Sequence, residues 1–582
     1  MKTSQSASLK VKHLKIKIQG GSFVKLNGSQ ILIECLKEQG VDTVFGYPGG
    51  AVLQIYDELY KASDKITHVL TAHEQGAAHA ADAYSRVSGK VGVCIATSGP
   101  GATNLVTGIA TAYMDSIPMI AITGNVGVPL LGKDSFQEID ITGVTRSITK
   151  HNYIVKQVED LAYTIREAFL IAKTGRPGPV LIDIPKDVTI KETDFELLKN
   201  LDDFRSDSLK PEEELVESDI NDAVAMIKDA QKPFIYMGGG IIISGAEKEL
   251  LEFAEKIDAP VSNTLMGAGA FPQDHPLSTG LVGMHGGVAS NEGIMKCDLL
   301  IAIGARFSDR VTSSIKEFAK AAKIIHIDID PAEIDKNVPI TLSIISDAKK
   351  VLAALNSRLP VLSHPEWIAR VEKWKTKHTI KHSISGVLNG KDIIESIDTL
   401  TNGEAIITTE VGQHQMWAAQ FFCYRYPRTF ISSGGLGTMG FGTGASIGAS
   451  FAAPNKHIVQ IAGDGSFRMN SNELSTIQYY NLPIIIVILN NSVLGMVRQW
   501  QNLFYDQRYS QTVLDRGPDF VKLAESYFVD GYRATNIKEF EEIFALALSK
   551  NQPAVIDCVI DKDDKVLPMV APGTPINQLI IE

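Results

Sequence analysis

Short apolar runs of strand length recur along the chain, and a stretch with helical character separates each from the next. Such runs are typical of buried parallel strands, because a strand covered on both faces loses its polar–apolar alternation. The pattern predicts an α/β fold with mainly parallel sheets. The runs are VGVCIATS (91–98), MIAITGN (119–125), PVLIDIP (179–185), PFIYMGGG (233–240), LLIAIGA (299–305), IIHIDID (324–330), HIVQIAG (457–463), IIIVILNN (484–491) and AVIDCVID (554–561).

Two acidic stretches that contain proline interrupt this pattern, and both are predicted to be linkers. They cover residues 191–218 and 356–387. The chain is thereby divided into an N-terminal extension (1–25), a first domain (26–190), a middle domain (219–355), a third domain (388–561) and a C-terminal tail (562–582).

The first and third domains resemble each other in sequence. SGPGATN…SIPMIAITGN (98–125) and AGDGSFRMN…NLPIIIVILNN (462–491) each contain a glycine-bracketed turn, a helix, a proline and an apolar strand that ends in asparagine. The two segments that end these domains, 171–187 and 547–561, also match. Two matches in the same order predict duplicated doubly wound domains.

Composition excludes several classes of function. The 582 residues carry a formal net charge of −11, which argues against a nucleic-acid-binding protein. The longest apolar runs are too short to span a membrane. Five cysteines lie far apart without a CxxC motif, as expected of reduced thiols in a cytoplasmic protein rather than of a disulfide framework or metal site.

A metal and diphosphate site is predicted in the third domain. Asp464 follows one predicted strand and Asn491 follows the next, and a parallel crossover brings the carboxyl ends of both strands to one sheet edge. Oxygen donors of this kind suit Mg²⁺. Gly463, Gly465 and Ser466 open the following helix, where free N–H groups would face an anion.

The alternative is structural, because GDG is a common turn and NN can end any strand. The strand–helix–strand frame and the interval between the two motifs favour the functional interpretation.

GDG followed by NN is a signature of thiamine-diphosphate enzymes, and the longer motifs resemble the acetohydroxyacid synthase (acetolactate synthase) family, specifically its large catalytic subunit. The resemblance runs from about residue 26 to the end. Its motifs are FGYPGGAVL (45–53), HEQGAAHAA (73–81), TSGPGATNLVTGIA (97–110), TRSITKHNY (145–153), VGQHQMWAAQ (411–420), SSGGLGTMGFG (432–442), GDGSFRMN (463–470) and LNNSVLGMVRQWQNLFYDQRYS (489–510).

This resemblance implies a catalytic role for Glu74, which is set among alanines at a predicted helix start. In the family, the corresponding acid meets N1′ of the coenzyme's aminopyrimidine and favours the tautomer that removes the thiazolium C2 proton. The alternative is an exposed glutamate favoured by the helix dipole. The resemblance further implies an obligate dimer at least, a homodimer or homotetramer, because the domains around one coenzyme come from different subunits.

Other coenzyme contacts follow from the same resemblance. It implies that Val493 offers its main-chain carbonyl to Mg²⁺ beside Asp464 and Asn491, and that Met439 bends the coenzyme; core packing is the alternative for Met439. The further implied contacts to thiamine diphosphate are Gly50, Gly412, Gln413, His414, Gly437, Thr438, Gly463, Gly465, Ser466, Gly495 and Met496.

The middle domain resembles the family's FAD site. Its glycines alone are weak evidence, because the GxGxxG spacing is absent. The acetolactate reaction transfers no net electrons, so no chemical reason for a flavin follows. The implied FAD contacts are Arg176, Gly239, Leu265, Met284, His285, Gly304, Arg306, Asp328, Ile329 and Asp347.

The implied reaction decarboxylates pyruvate and joins the remaining two-carbon unit to a second pyruvate or to 2-ketobutyrate. Arg310 would bind the second carboxylate, since a guanidinium fork suits this group; a surface or FAD-phosphate contact is the alternative. Trp500 would pack on the extra methyl of 2-ketobutyrate, or serve as a core or interface aromatic. Phe136, Gln137 and Met496 complete the implied pocket.

Some residues depart from the family pattern: Asn125, Ser308, Ala72 and the pair Thr443–Gly444. None replaces an implied metal ligand, Glu74, Arg310 or Trp500.

Three rival functions are a flavin-free catabolic acetolactate synthase, a pyruvate oxidase or decarboxylase, and a non-catalytic regulatory subunit that binds the cofactor. The family's catalytic subunit commonly pairs with a small regulatory subunit, and the sequence leaves open whether one binds here.

Overall fold

The computed structural model describes residues 23–198, 200, 201, 204, 206, 214–377 and 387–581. Its strands are β1 (Phe23–Asn27), β2 (Thr43–Tyr47), β3 (Thr67–Leu70), β4 (Gly92–Ala96), β5 (Met119–Asn125), β6 (His151–Ile154), β7 (Pro179–Pro185), β8 (Glu192–Glu196), β9 (Pro233–Met237), β10 (Val261–Asn263), β11 (Ser278–Leu281), β12 (Leu299–Ile303), β13 (Lys323–Asp328), β14 (Leu342–Ile345), β15 (Ile406–Thr409), β16 (Phe430–Ile431), β17 (Ile458–Gly463), β18 (Ile484–Asn490), β19 (Asp530–Ala534), β20 (Ala554–Val559), β21 (Met569–Val570) and β22 (Leu579–Ile580).

The α-helices are α1 (Gly28–Glu38), α2 (Leu53–Lys61), α3 (Glu74–Ser88), α4 (Pro100–Asn104), α5 (Val106–Asp115), α6 (Ile141–Thr145), α7 (Leu161–Lys173), α8 (Lys186–Ile190), α9 (Glu217–Asp229), α10 (Gly240–Ser244), α11 (Glu247–Lys256), α12 (Val288–Lys296), α13 (Asp309–Thr312), α14 (Ala348–Arg358), α15 (Pro365–Lys377), α16 (Gly390–Leu400), α17 (Gln413–Phe421), α18 (Phe441–Ala452), α19 (Asp464–Phe467), α20 (Leu474–Tyr479), α21 (Gly495–Phe504), α22 (Phe520–Ser526) and α23 (Ile537–Lys550). Short 3₁₀ turns cover Val128–Leu130, Val158–Asp160, Leu265–Gly267, Pro331–Glu333 and Ser471–Glu473.

Three parallel sheets of six strands form the framework. The first has the order β3-β2-β4-β5-β7-β6, the middle β11-β10-β9-β12-β13-β14, and the third β16-β15-β17-β18-β20-β19. Renumbered from its own first strand, each outer sheet reads 2-1-3-4-6-5, whereas the middle sheet reads 3-2-1-4-5-6. The predicted fold of two related outer α/β units around a different middle unit is confirmed.

Helices α3 and α18 join the two outer units. Helix α3 begins after His73, whose side chain accepts a hydrogen bond from the Gln75 N–H, and ends at Gly89 in the left-handed conformation. Close approach of α18 depends on glycine, because a Cβ on Gly448 would lie 2.0 Å from the carbonyl oxygen of Ala80. Alanines on α3 and residues of α18 share one apolar core with both outer sheets.

Regular structure also lies inside the stretches predicted to be linkers. Strand β8 pairs with β1 in an antiparallel ladder. Helix α15 packs on the middle unit, where Trp367 is buried and donates to the carbonyl of Pro233. The acidic and proline content that suggested linkers obscured the apolar spacing of Trp367 and Val371. The predicted extension falls outside the described residues except for 23–25.

Candidate active site

The third sheet brings Asp464 and Asn491 together. Strands β17 and β18 are parallel neighbours, with Gly463 opposite Leu489, so both residues follow strand ends at the same edge. The side chain of Asp464 is buried at this edge. Burial raises the pKa of Asp464 to about 6.

The donor set fits a hard cation. Oδ2 of Asp464 is buried without a hydrogen-bond partner, and the nearest guanidinium nitrogen, from Arg468, lies 3.8 Å away. A cation would satisfy this oxygen, since a buried unpaired carboxylate oxygen is costly. No cluster of three or more His, Cys, Asp or Glu side chains that could hold a metal is found in the described part of the chain, so amide and main-chain oxygens would complete the set.

A cavity of about 80 Å³ adjoins these donors. One of its wall residues, His414, has a buried Nε2 without a hydrogen-bond partner, and burial lowers its pKa to about 3, which keeps the ring neutral. The residues predicted to bind the metal or the diphosphate that line this cavity are Gly412, Gln413, His414, Met439, Gly463, Asp464, Gly465, Ser466, Asn491, Val493, Gly495 and Met496.

Two further predicted contacts lie just outside this cavity. Gly437 lines a larger neighbouring cavity, and its left-handed φ of 71° favours glycine. Thr438 is buried and shares a 2.8 Å hydrogen bond with Thr111 of α5. Helix α5 of the first unit therefore supports the loop that carries Met439.

Glu74 lies at the start of α3, in the first unit. Its side chain is buried, and Oε2 accepts a 3.0 Å hydrogen bond from Asn104. Gly101 leaves space beside the Glu74 carboxylate, since a Cβ on Gly101 would lie 3.2 Å from Oε1 of Glu74. Gly50, which also belongs to this unit, has no atom within 4 Å of an added Cβ. Glu74 does not line the cavity beside Asp464. We call the surroundings of Glu74 and the cavity beside Asp464 the two candidate half-sites.

The middle sheet has the strand order of dinucleotide-binding folds, and its order reverses between β9 and β12. Chain segments approach closely there, because a Cβ on Gly240 would lie 2.6 Å from the Cα of Gly304. Two cavities of about 320 and 810 Å³ adjoin this point. The predicted FAD contacts that line one or both are Arg176, Gly239, Leu265, Met284, His285, Gly304, Arg306, Asp328, Ile329 and Asp347.

The charges in these cavities also suit a dinucleotide. Arg176 makes ion pairs with Asp330 and Glu333 at 3.1 and 2.7 Å. Burial raises the pKa of the Asp328 carboxyl to about 6. The cavity of about 320 Å³ is therefore lined both by cations suited to a diphosphate, Arg176 and Arg306, and by a carboxylate suited to hydroxyl groups, Asp328.

The predicted substrate residues fall into two groups. Arg310, Trp500 and Met496 line the larger cavity together. Phe136 is 88% exposed and lies apart from them, in the first unit. Beside it, the Cα of Gln137 would lie 3.0 Å from a Cβ on Gly99. Phe136 and Gln137 thus do not line the cavity that contains Arg310.

Two departures from the family pattern have defined partners. The buried Asn125 donates to Oδ2 of Asp183 at 2.6 Å, and burial raises the pKa of that carboxyl to about 7. Gly444 packs against α3, because its added Cβ would lie 2.8 Å from the carbonyl oxygen of Gly76.

Three buried acids beside the half-sites were not predicted. Glu410 accepts hydrogen bonds from the N–H groups of Gly440 and Thr443. Asp115 accepts them from Gly434 and Gly435, and Glu473 from Ala72 and His73. Glu410 directly precedes the motif VGQHQMWAAQ, and Glu473 shortly follows GDGSFRMN. This closeness to the motifs was the sequence signal available for both acids.

In the described part of the chain, no helix is both long and apolar enough to cross a membrane.

Comparison with known proteins identifies the family. Three domains of thiamine pyrophosphate enzymes match the chain: the N-terminal TPP-binding domain over residues 26–144, the central domain over 220–355 and the C-terminal TPP-binding domain over 410–558. A probable acetolactate synthase large subunit of Methanocaldococcus jannaschii is 50% identical over 566 residues, 95% of each chain. The chain belongs to the acetolactate synthase large subunit family.

Other relatives agree. The acetolactate synthase large subunit of Cyanidium caldarium is 47% identical over 96% of this chain and 97% of its own. That of Buchnera aphidicola subsp. Schizaphis graminum is 44% identical over 95% and 98%, respectively. This member of the acetolactate synthase family is therefore a thiamine-diphosphate enzyme, and the resemblance inferred from the motifs is confirmed.

Proposed function

We propose that this chain is the catalytic subunit of an acetolactate synthase of branched-chain amino acid biosynthesis. Two pyruvate anions and one proton would give 2-acetolactate and CO₂. Replacing the second pyruvate with 2-ketobutyrate would give 2-aceto-2-hydroxybutyrate. The observation that carries the proposal is the buried, unpartnered Asp464 oxygen at a cavity shared with Asn491, next to the larger cavity walled by Arg310 and Trp500.

Thiamine diphosphate, when bound, would supply the nucleophilic carbon for the decarboxylation of pyruvate and the transfer of the two-carbon unit. Asp464, Asn491 and the main-chain carbonyl of Val493 would hold Mg²⁺. The first N–H groups of α19, at Gly465 and Ser466, would donate to the diphosphate. Glu74 would hold a proton at N1′ of the pyrimidine.

The substrate carboxylate would be held by Arg310. A guanidinium can donate two parallel hydrogen bonds to a carboxylate, which fixes the keto group's orientation. Trp500 and Met496 form the apolar side of the same cavity and would exclude water from the reacting carbon. FAD would occupy the middle-unit cavities and so shape the cavity's other wall.

The split between the half-sites supports an assembly of at least two copies. Glu74 would act on the coenzyme held by the third unit of a neighbouring copy, which makes a homodimer the smallest active form. A small regulatory subunit is part of the proposal, since the relatives are named large subunits. The proposed domains are 26–190, 219–355 and 388–561.

We place the protein in the cytoplasm. All five cysteines are free, and Cys35, Cys94, Cys297 and Cys558 are buried, as expected of a reducing compartment.

The test is a product assay on pyruvate with thiamine diphosphate, Mg²⁺ and FAD each omitted in turn. We expect 2-acetolactate only when all three are present, and a yellow purified protein. A colourless protein that is fully active without FAD would favour the catabolic enzyme. Coenzyme binding without any product would contradict the catalytic proposal.

A further inference from the structure

Helix α20 of the third unit holds the segment that leads into Glu74. Just before this helix, the Glu473 carboxylate accepts hydrogen bonds from the backbone N–H groups of Ala72 and His73, each at 3.0 Å. At its other end, the Tyr480 hydroxyl accepts one from the Leu70 N–H at 2.9 Å. The end of β3 and the start of α3 are thus fixed by residues about 400 positions further along the chain.

The Glu473 carboxylate is fully enclosed. Its side chain has no exposed surface, and Thr476 donates a third hydrogen bond at 2.7 Å. A Cβ on Gly76 would lie 2.2 Å from Oε1, so the first turn of α3 packs directly on this carboxylate. Burying a carboxylate is costly unless donors meet it, and here most of the donors are the residues just before Glu74.

We infer that Glu473 is a positioning residue for Glu74: its carboxylate holds the Ala72 and His73 N–H groups and thereby sets where α3 begins. This inference rests on the proposed role of Glu74 at N1′. A small displacement of a catalytic group can cost about 100-fold in rate, so the direction of the Glu74 side chain depends on this anchor.

The test measures hydrogen–deuterium exchange at C2 of thiamine diphosphate bound to the full-length protein with Mg²⁺. We expect Glu473→Gln to slow this exchange about tenfold or more, because a neutral amide holds the two N–H groups less strongly. Affinity for thiamine diphosphate and Mg²⁺ should change less than about threefold, because those donors lie on other segments. Exchange at the wild-type rate would overturn the inference.

A second mutation separates positioning from general stability. In a Glu74→Gln background, adding Glu473→Gln should slow exchange no further, since both changes act on the same group. A further slowing equal to that in the wild-type background would overturn the inference. Wild-type exchange in Glu74→Gln alone would instead overturn the proposed role of Glu74, on which the inference rests.

The matched control is Glu38→Gln. Glu38 is also a buried carboxylate, and it accepts two hydrogen bonds from Arg166 at 2.8 and 2.7 Å and one from the Leu198 backbone N–H at 2.9 Å, but it lies away from both half-sites. Glu38→Gln should lower the thermal stability of the protein and leave the rate of C2 exchange unchanged. If Glu473→Gln does not fold, Glu473→Asp replaces it: the shorter side chain keeps the charge but cannot reach both N–H groups. It must also slow exchange, and a wild-type rate would overturn the inference.

Discussion

At the scale of single residues, buried acids organise both half-sites. Asp464 lines a cavity and has an oxygen without a hydrogen-bond partner, whereas Glu410 and Glu473 accept hydrogen bonds from backbone N–H groups of other segments, with Thr476 as a further donor to Glu473. An acid with an oxygen that lacks a hydrogen-bond partner is suited to a ligand, and an acid that accepts hydrogen bonds from the backbone of another segment is suited to fixing that segment.

Glu410 makes stability depend on pH. Burial raises its pKa to about 8, although backbone N–H groups oppose the shift. The folded protein therefore retains a proton that the unfolded chain loses above its ordinary pKa of 4.5. The contribution of Glu410 to the free energy of unfolding is fully present below pH 4.5. It is lost as the pH rises toward 8, by at most about 1.4 kcal/mol per pH unit.

The prediction is that Glu410→Gln flattens this decline. Melting temperatures of the wild type and the variant, measured from pH 5.5 to 8.5, should diverge because only the wild type must lose a buried proton. The exposed Glu404→Gln serves as control and should follow the wild-type curve. Parallel curves for Glu410→Gln and the wild type would contradict the assignment.

Trp500 is predicted to set the preference between the two acceptor substrates. It lines the larger cavity with Arg310, and one extra methyl group packed on its ring is worth about 1–3 kcal/mol. Trp500→Leu should remove most of the preference for 2-ketobutyrate, measured as the product ratio when both acids compete.

Phe504→Leu is the control. The ring centroids of Phe504 and Trp500 are 5.4 Å apart, but Phe504 does not line that cavity. An unchanged product ratio in Trp500→Leu would show that another residue selects the acceptor.

The sequence anticipated some of these residues and missed others. Asp464 and Asn491 were predicted as neighbours because each follows a strand and parallel neighbours end at one edge. Glu473 was not, because its partners Ala72 and His73 are backbone groups about 400 positions away. No side-chain pattern indicates where a backbone N–H will lack a partner.

At the scale of elements, the contact between α3 and α18 joins the outer units. The sequence predicted a helix that starts at Glu74 among alanines, but it does not indicate which helix α3 meets. Glycines at 444 and 448 decide this, because they allow the two backbones to approach. Gly444, which departs from the family pattern, therefore has a packing role.

Gly448→Ala is predicted to destabilise the protein by about 1–3 kcal/mol. Its Cβ would lie 2.0 Å from the Ala80 carbonyl oxygen, so the helices must separate. The matched control is Gly287→Ala, where the nearest atom to an added Cβ is 3.7 Å away. Chemical denaturation should show a loss for Gly448→Ala alone, and equal stability of both variants would contradict this account of the contact.

At the scale of the whole molecule, the duplicated outer sheets support the proposed division of the site. Each outer unit presents residues that follow strands of its own sheet: Glu74 follows β3 in one, and Asp464 and Asn491 follow β17 and β18 in the other. The internal sequence match predicted this duplication. It does not predict how the two edges of one chain lie relative to each other, because that depends on how α3 packs on α18.

The central claim is that one active site takes Glu74 from one copy and Asp464 from another. The most direct measurement is to co-express Glu74→Gln and Asp464→Asn chains with different tags and to assay the purified hybrid. Each parent should be nearly inactive. The hybrid dimer should recover about half of the wild-type activity, because one of its two sites contains neither substitution. A hybrid as inactive as its parents would contradict the claim.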